Sequence, residues 1–301
     1  VASILFTPIS KTITWGSRFA VAKKRKGHWT IARRVVQIVV AILFFVPLSA
    51  AGWSALGLGF SSPEEPLATP SGFAWWGSLS SSHLFGLDLL DPFAALQVAA
   101  AAKNVAFAGL AWALPVLVAY GMVRGRTFCG WACPVNLLCE FVDWLRGKLG
   151  IAVRERAVPR KAKVGIAAAV LALSAVCSVP VFELVNPISA VNKAVLFGSF
   201  AGVFTLVAIV FAELFWAHRV WCRALCPLGG MYETLGCLGL VSVKIDHDLC
   251  VHCGACQAAC LCDPEILDDV LSGKAGGVVA GDCMLCGKCV DACPHSALKI
   301  G

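Results

Sequence analysis

The sequence predicts an α-helical integral membrane protein with four transmembrane helices, followed by a small α+β domain at its carboxyl end. Three observations carry that expectation. The chain of 301 residues is 58% hydrophobic and only 14% charged, with a mean hydropathy of +0.79, too apolar for an ordinary soluble protein. Four apolar runs are each about long enough to span a bilayer. Beyond them, Cys250-x2-Cys253-x2-Cys256-x3-Cys260 is followed by Cys283-x2-Cys286-x2-Cys289-x3-Cys293-Pro294.

That spacing makes the terminal unit a bacterial 2[4Fe-4S] ferredoxin-like domain, in which three nearby thiolates hold one cube and the fourth cysteine crosses to the other. Zinc sites pair Cys-x2-Cys units instead of chaining three and adding a distant fourth. A disulfide framework belongs to small secreted chains. Crossed ligation predicts one cluster on Cys250, Cys253, Cys256 and Cys293, and a second on Cys260, Cys283, Cys286 and Cys289, with iron as the metal. Cys260 is followed by Leu261-Cys262-Asp263-Pro264, so Cys262 competes for the ligand role, and spacing favours Cys260. Val241, Val243 and Ile245 alternate before the first cysteine, and Leu298 and Ile300 after the last. These predict two short paired strands.

In chain order, residues 1–34 form a basic segment that carries eight Lys and Arg and no acidic residue. The first apolar run, Val35 to about Phe60, is too long for the core of a signal peptide and is read as a retained helix. Residues 61–93 hold Glu64, Glu65, Asp88 and Asp91 without a single Lys or Arg. A second run covers about Asn104 to Val123, a basic loop 124–163 follows, and further runs cover about Val164 to Phe182 and Ala194 to Trp216. The Lys and Arg bias of the short loops places both termini in the cytoplasm of a multi-pass protein of the bacterial inner membrane. The domain division expected is 1–34, a four-helix membrane domain 35–240, and the dicluster domain 241–301. The net charge of +7 fits this topology, and no aromatic-interleaved basic region points to nucleic acid. Membrane lipid is an expected partner.

Two further cysteine pairs occupy corresponding places after the second and fourth runs. Cys129-Gly130-Trp131-Ala132-Cys133-Pro134 and Cys222-Arg223-Ala224-Leu225-Cys226-Pro227 share the pattern Cys-x3-Cys-Pro, and Arg126-Thr127-Phe128 matches Arg219-Val220-Trp221. This is a weak internal repeat. The following proline disfavours helix at the second cysteine, so each pair is expected on a helix-to-loop bend. Four convergent thiols can ligate further iron, form a redox disulfide, or pack as small hydrophobes. The repeated context favours Cys129, Cys133, Cys222 and Cys226 as candidate redox thiols. Asn136 to Gly150 is an amphipathic helix candidate, and Cys139, Cys177 and Cys237 are read as packing residues. Lys103, Glu183 and Glu213 are the ionisable groups to examine for proton handling. No Cys-x-x-Cys-His, Gly-x-Gly-x-x-Gly or pair of histidines in the runs points to haem or a nucleotide.

The stretches Phe128-Cys129-Gly130-Trp131-Ala132-Cys133-Pro134-Val135-Asn136, Val185-Asn186-Pro187-Ile188-Ser189 and Trp221-Cys222-Arg223-Ala224-Leu225-Cys226-Pro227-Leu228-Gly229, together with the terminal cysteine runs, resemble the NapH/MauN family of ferredoxin-type membrane proteins. That family includes the quinol dehydrogenase subunit of periplasmic nitrate reductase systems and the methylamine utilisation ferredoxin-type protein. The resemblance implies electron transfer between membrane quinol and a periplasmic redox system, with an iron–sulfur or cytochrome c partner on the outside. Nitrate-type members tend to read Cys-Pro-Glu-Pro where this chain has Cys260-Leu261-Cys262-Asp263-Pro264-Glu265, which favours methylamine utilisation. An alternative role is a redox or assembly factor that supports maturation of a periplasmic enzyme such as methylamine dehydrogenase.

Overall fold

The computed structural model describes residues 27–55, 75–84, 86–103, 107–151, 159, 161–190, 193 and 200–301. Most of the basic segment 1–34, residues 61–74 of the acidic loop and parts of the second and fourth apolar runs therefore lie outside the described residues. Helix α1 spans His28–Ala55. A three-stranded antiparallel meander follows, with β1 Trp75–Gly77, β2 Ser81–Leu84 and β3 Leu87–Leu90 in the order β1-β2-β3. Asp91 caps α2, Pro92–Ala102, by accepting from the Ala94 N–H, the role that a short acidic side chain before a first-turn proline is suited to.

The expectation of four transmembrane helices is corrected here: among the described residues, no helix is long and apolar enough to cross a membrane. Helices α3 Phe107–Val123, α6 Ala162–Cys177 and α8 Ala201–Phe215 hold 17, 16 and 15 residues. At about 1.5 Å per residue they fall short of the ~30 Å hydrocarbon layer. The third run misled because its apolar letters continue past a break. Ser178 caps α6 in the left-handed conformation, and the chain restarts after Pro180 as the short helix α7, Val181–Val185. Helix α1 has 28 residues, but its first turns are committed to protein contacts. Arg33 and Gln37 are buried there, and Gln37 donates to the Gly130 carbonyl at 2.8 Å.

Two short segments carry the Cys-x3-Cys-Pro motifs. The first is α4, Thr127–Trp131, leading into α5, Pro134–Leu149. The second is a π turn, Trp221–Leu225, leading into α9, Pro227–Gly236. Helix α5 starts two residues before the expected Asn136 and ends at Gly150, whose φ of 67° supplies the left-handed cap. Asn136 and Glu140 are buried beside Val135, Cys139 and Val142, while Phe141 and Trp144 are exposed.

The terminal unit is closed by β4 Val243–Ile245 and β5 Leu298–Ile300, paired antiparallel with Val243 opposite Ile300. The 22 residues between Cys260 and Cys283 are an integral part of this unit. They contribute Leu261, Ile266, Leu267, Val270 and Val278 to its core, and the Val278 N–H donates to the Val243 carbonyl at 2.9 Å. Short helices α10 Ala255–Ala258, α11 Asp268–Leu271 and α12 Lys288–Ala292 complete it. A second core gathers Phe93, Phe128, Phe182, Ile209, Leu228 and Tyr232 between the longer helices, and Cys129 packs against both cores.

Candidate cluster and thiol sites

The two cysteine triplets of the terminal unit have the same backbone. The residue before each middle cysteine is left-handed, with φ 51° at His252 and 48° at Leu285, and so is the glycine after it, with φ 73° at Gly254 and 69° at Gly287. Two such excursions on either side of the middle cysteine turn the loop back on itself, a conformation of the kind that forms a cradle for an anionic group. Spacing alone locates these turns, because only glycine adopts the second position without strain.

The fourth cysteines cross between the triplets. A cavity of about 400 Å³ is lined by Cys250, Cys253, Cys256 and Cys293, with Leu249 and His295 at its walls. Around the other triplet, Cys260 lies within electrostatic reach of Cys286 and Cys289. Cys262 stands beside it: it is hydrogen-bonded to Cys260, acts on Cys283 and Cys286, and donates from Sγ to the Asp282 carbonyl oxygen at 3.1 Å. Cys256 and Cys289 act on each other across the boundary between the two sites. Burial pushes the Cys256 thiol up to about 11 and the Cys283 thiol up to about 12, so metal must displace protons on binding. Among the described residues no three such side chains are close enough to hold a single metal ion. The donor set, the cavity and the paired cradles fit [4Fe-4S] clusters, and Cys253 leaves the first site open to solvent.

The Cys-x3-Cys-Pro motifs meet beneath the second triplet. Cys133 and Cys226 stand just before Pro134 and Pro227 with matching extended backbones, φ −69°, ψ 120° and φ −71°, ψ 112°, as expected for a residue preceding proline. The Gly229 N–H donates to Cys226 Sγ at 3.4 Å. Cys129, Cys133, Cys222 and Cys226 all act electrostatically on one another. The structure adds two sulfurs, since Cys262 also acts on Cys129 and Cys222. Cys139, read from sequence as a packing residue, places its Sγ 4.0 Å from that of Cys222. The hydrogen bond from Cys139, opposed by burial and helped by Arg219 and Arg126, pulls the Cys222 thiol down to about 7.

The arginines before each motif reach across to the other. Arg126 donates to the Cys222 carbonyl at 2.7 Å and to the Asp282 carbonyl at 3.1 Å. Arg219, itself left-handed at φ 52°, donates to Asn136 Oδ1 at 2.6 Å and to Asp143 at 3.0 Å. Arg124 fastens the terminal unit, donating to the Val241, Val278 and Ala280 carbonyls at 2.9, 2.6 and 3.0 Å. Trp131 donates its indole N–H to the Leu285 carbonyl at 3.0 Å. A Cβ on Gly130 would lie 2.6 Å from the Met284 carbonyl oxygen, so glycine is what lets the first motif touch the second cluster loop. Sequence reasoning noted the repeated arginines without assigning these roles, and nothing in the letters marks Arg124 apart from its neighbours.

Buried charge surrounds the site. Lys163 pairs with Asp282 at 2.6 Å and Glu233 at 3.0 Å. Glu140 pairs with Arg33 and Arg34. Among the groups flagged for proton handling, Lys103 is the left-handed cap of α2 and Glu183 pairs with Lys193 at 3.0 Å. Glu213 is buried and accepts from the Arg219 and Trp221 N–H groups. Burial and then Cys222 raise Glu213 to about 8. Asp91, which sequence reasoning used only for charge counting, accepts from Tyr232 at 3.2 Å and is raised to about 7 by burial and then by Glu183.

A 4Fe-4S binding domain family matches the chain at residues 105–152 and 199–245, the two segments that carry the Cys-x3-Cys-Pro motifs. A 4Fe-4S dicluster domain family matches residues 242–294. The chain is similar to the methylamine utilization ferredoxin-type protein MauN of Methylorubrum extorquens, 36% identical over 279 residues that cover 92% of this chain and 90% of the relative. It is 31% identical to MauN of Paracoccus denitrificans over 90% of both chains. It is 29% identical to the ferredoxin-type protein NapH of Escherichia coli over 94% of this chain and 93% of the relative. No solved structure matches the chain.

Proposed function

The chain belongs to the NapH/MauN family of ferredoxin-type proteins and is an iron–sulfur electron-transfer protein, and from that premise we propose that it passes electrons between membrane quinol and a periplasmic redox system. The observation that carries this reading is the pair of crossed cysteine sites docked through Gly130, Trp131 and Arg126 onto a further group of thiols. Cys250, Cys253, Cys256 and Cys293 hold the first cluster, and Cys260, Cys283, Cys286 and Cys289 the second. When bound, each cube supplies a one-electron couple. The chain's own part is to hold the thiols apart at cube spacing, exclude water behind Leu261, Met284 and Leu285, and keep one site near the surface.

The first site, with Cys253 exposed, is the face open to a soluble redox partner. The second faces the Cys-x3-Cys-Pro thiols, which act as redox groups beside it. Work at the inner membrane is supported by the outward apolar side chains Phe204, Phe211 and Phe215 of α8 and Met122 of α3, which suit lipid contact. Methylamine utilisation is favoured over nitrate reduction by the departure from Cys-Pro-Glu-Pro at Cys260-Leu261-Cys262-Asp263 and by the 36% identity to one MauN against 29% and 32% to two NapH proteins. Residues 241–301 form the dicluster unit. Deleting the gene in its host tests the pathway: growth on methylamine should fail while periplasmic nitrate reduction continues. Loss of nitrate reduction alone would overturn the branch, and loss of neither would overturn the function.

A further inference from the structure

Cys139 belongs to neither cluster run nor Cys-x3-Cys-Pro motif, yet it is the residue that the fold brings against Cys222. Its side chain is fully buried and Cys222 is 9% exposed. Arg219 fixes the approach, because it follows α8 and binds Asn136 and Asp143, the residues three before and four after Cys139 on α5. Arg126 holds the other side through the Cys222 carbonyl. The two sulfurs stand 4.0 Å apart, against the ~2.05 Å of a disulfide bond. Two flanking guanidinium groups favour the thiolate that such chemistry requires. Glu213 accepts from the N–H of Trp221, the residue before Cys222, at 3.3 Å, and acts electrostatically on both thiols.

We propose that Cys139 and Cys222 form a dithiol–disulfide couple that exchanges two electrons and two protons with quinol, an inference that rests on the quinol reading above. In the reducing direction the S–S bond breaks and two S–H bonds form. The two O–H bonds of the quinol break, its ring becomes the quinone, and its two electrons and two protons pass to the sulfurs, with Glu213 beside the pair to relay a proton. In the other direction quinone takes the same electrons and protons back. The couple gives the chain a two-electron station next to carriers that move electrons singly.

The test uses the full chain with both clusters intact, under anaerobic conditions. The protein is treated with a fully ring-substituted benzoquinone, to which thiols cannot add, or with its quinol. It is then denatured in an alkylating agent and digested for mass spectrometry. The quinone sample should yield the Cys139 and Cys222 peptides as one disulfide-linked species with loss of both alkylated forms, and the quinol sample should restore both. Cys139→Ser should abolish the cross-link while both cluster signals persist in electron paramagnetic resonance. Alkylation of both thiols after quinone treatment, with clusters that still respond to quinol, would overturn the couple and leave the electron-transfer reading intact. A cross-link formed by diamide, with neither thiols nor clusters responsive to the quinone pair, would overturn the quinol reading itself. Iron beyond two clusters that is lost in Cys222→Ser would assign Cys222 to metal and also overturn the couple.

Discussion

Arg124 is the tether whose loss should separate the cluster unit from the helices. Its guanidinium, on a residue only 2% exposed, donates to three carbonyls, those of Val241, Val278 and Ala280. Arg124→Met keeps most of the apolar stem and removes all three donors. A buried acceptor left unpaired costs about 1–3 kcal/mol. Two of these bonds lie at partly buried positions where water can substitute, so the total should be about 3–5 kcal/mol rather than the full sum. Arg34→Ala is the matched control, since Arg34 is 54% exposed and makes one 3.0 Å contact with Glu140. Exposed pairs of that kind contribute less than about 1 kcal/mol. Anaerobic urea titration followed by tryptophan fluorescence should show a large fall in midpoint for Arg124→Met and a small one for Arg34→Ala. Equal shifts would refute the tether.

Three other outcomes follow from the same geometry. Gly130→Ala should cost about 1–3 kcal/mol, because its Cβ would meet the Met284 carbonyl oxygen at 2.6 Å, and should slow electron exchange between the thiol site and the second cluster in stopped-flow absorbance. Asp282→Asn should strip Lys163 of its 2.6 Å partner and destabilise the fold by up to about 3–5 kcal/mol, less where Glu233 compensates, measured as a midpoint shift against Glu233→Gln. Asp91 has a folded-state pKa of about 7 against 3.8 unfolded, so its contribution is fully present below 3.8 and is lost as pH rises through 7. Between pH 5 and 8 the loss should be about 2–3 kcal/mol, and Asp91→Asn should gain relative stability over that range in paired titrations. A pH-independent difference between the two proteins would show that Asp91 does not titrate in the folded chain.

The cysteine runs were readable because the chemistry fixes both residue type and interval: Gly254 and Gly287 follow the middle cysteines where the loop must turn left-handed. The strands at Val243 and Leu298 were readable from alternation alone. The apolar runs were misjudged for a physical reason. Hydropathy counts letters without regard to where a helix stops, and Ser178 with Pro180 stops one inside such a run. Helix α5 was recognised, but the burial of its polar residues Asn136 and Glu140 was not. An amphipathic pattern does not reveal it until Arg33 and Arg219 are seen to draw Glu140 and Asn136 inward. Cys139 and Arg124 were invisible for a related reason, since their partners lie at Cys222 and Val278, far away in the chain and joined only by the fold.

On the proposed function, crossed cysteines hold two one-electron centres that quinol can reach. Electron paramagnetic resonance on the anaerobic full-length protein after addition of quinol tests it most directly, comparing the native chain with Cys293→Ala and Cys260→Ala. Two signals should appear in the native protein. Cys293→Ala should perturb the one that Cys260→Ala leaves intact, and the reverse. Silence of the native protein toward quinol, or two variants that perturb the same signal, would contradict the account.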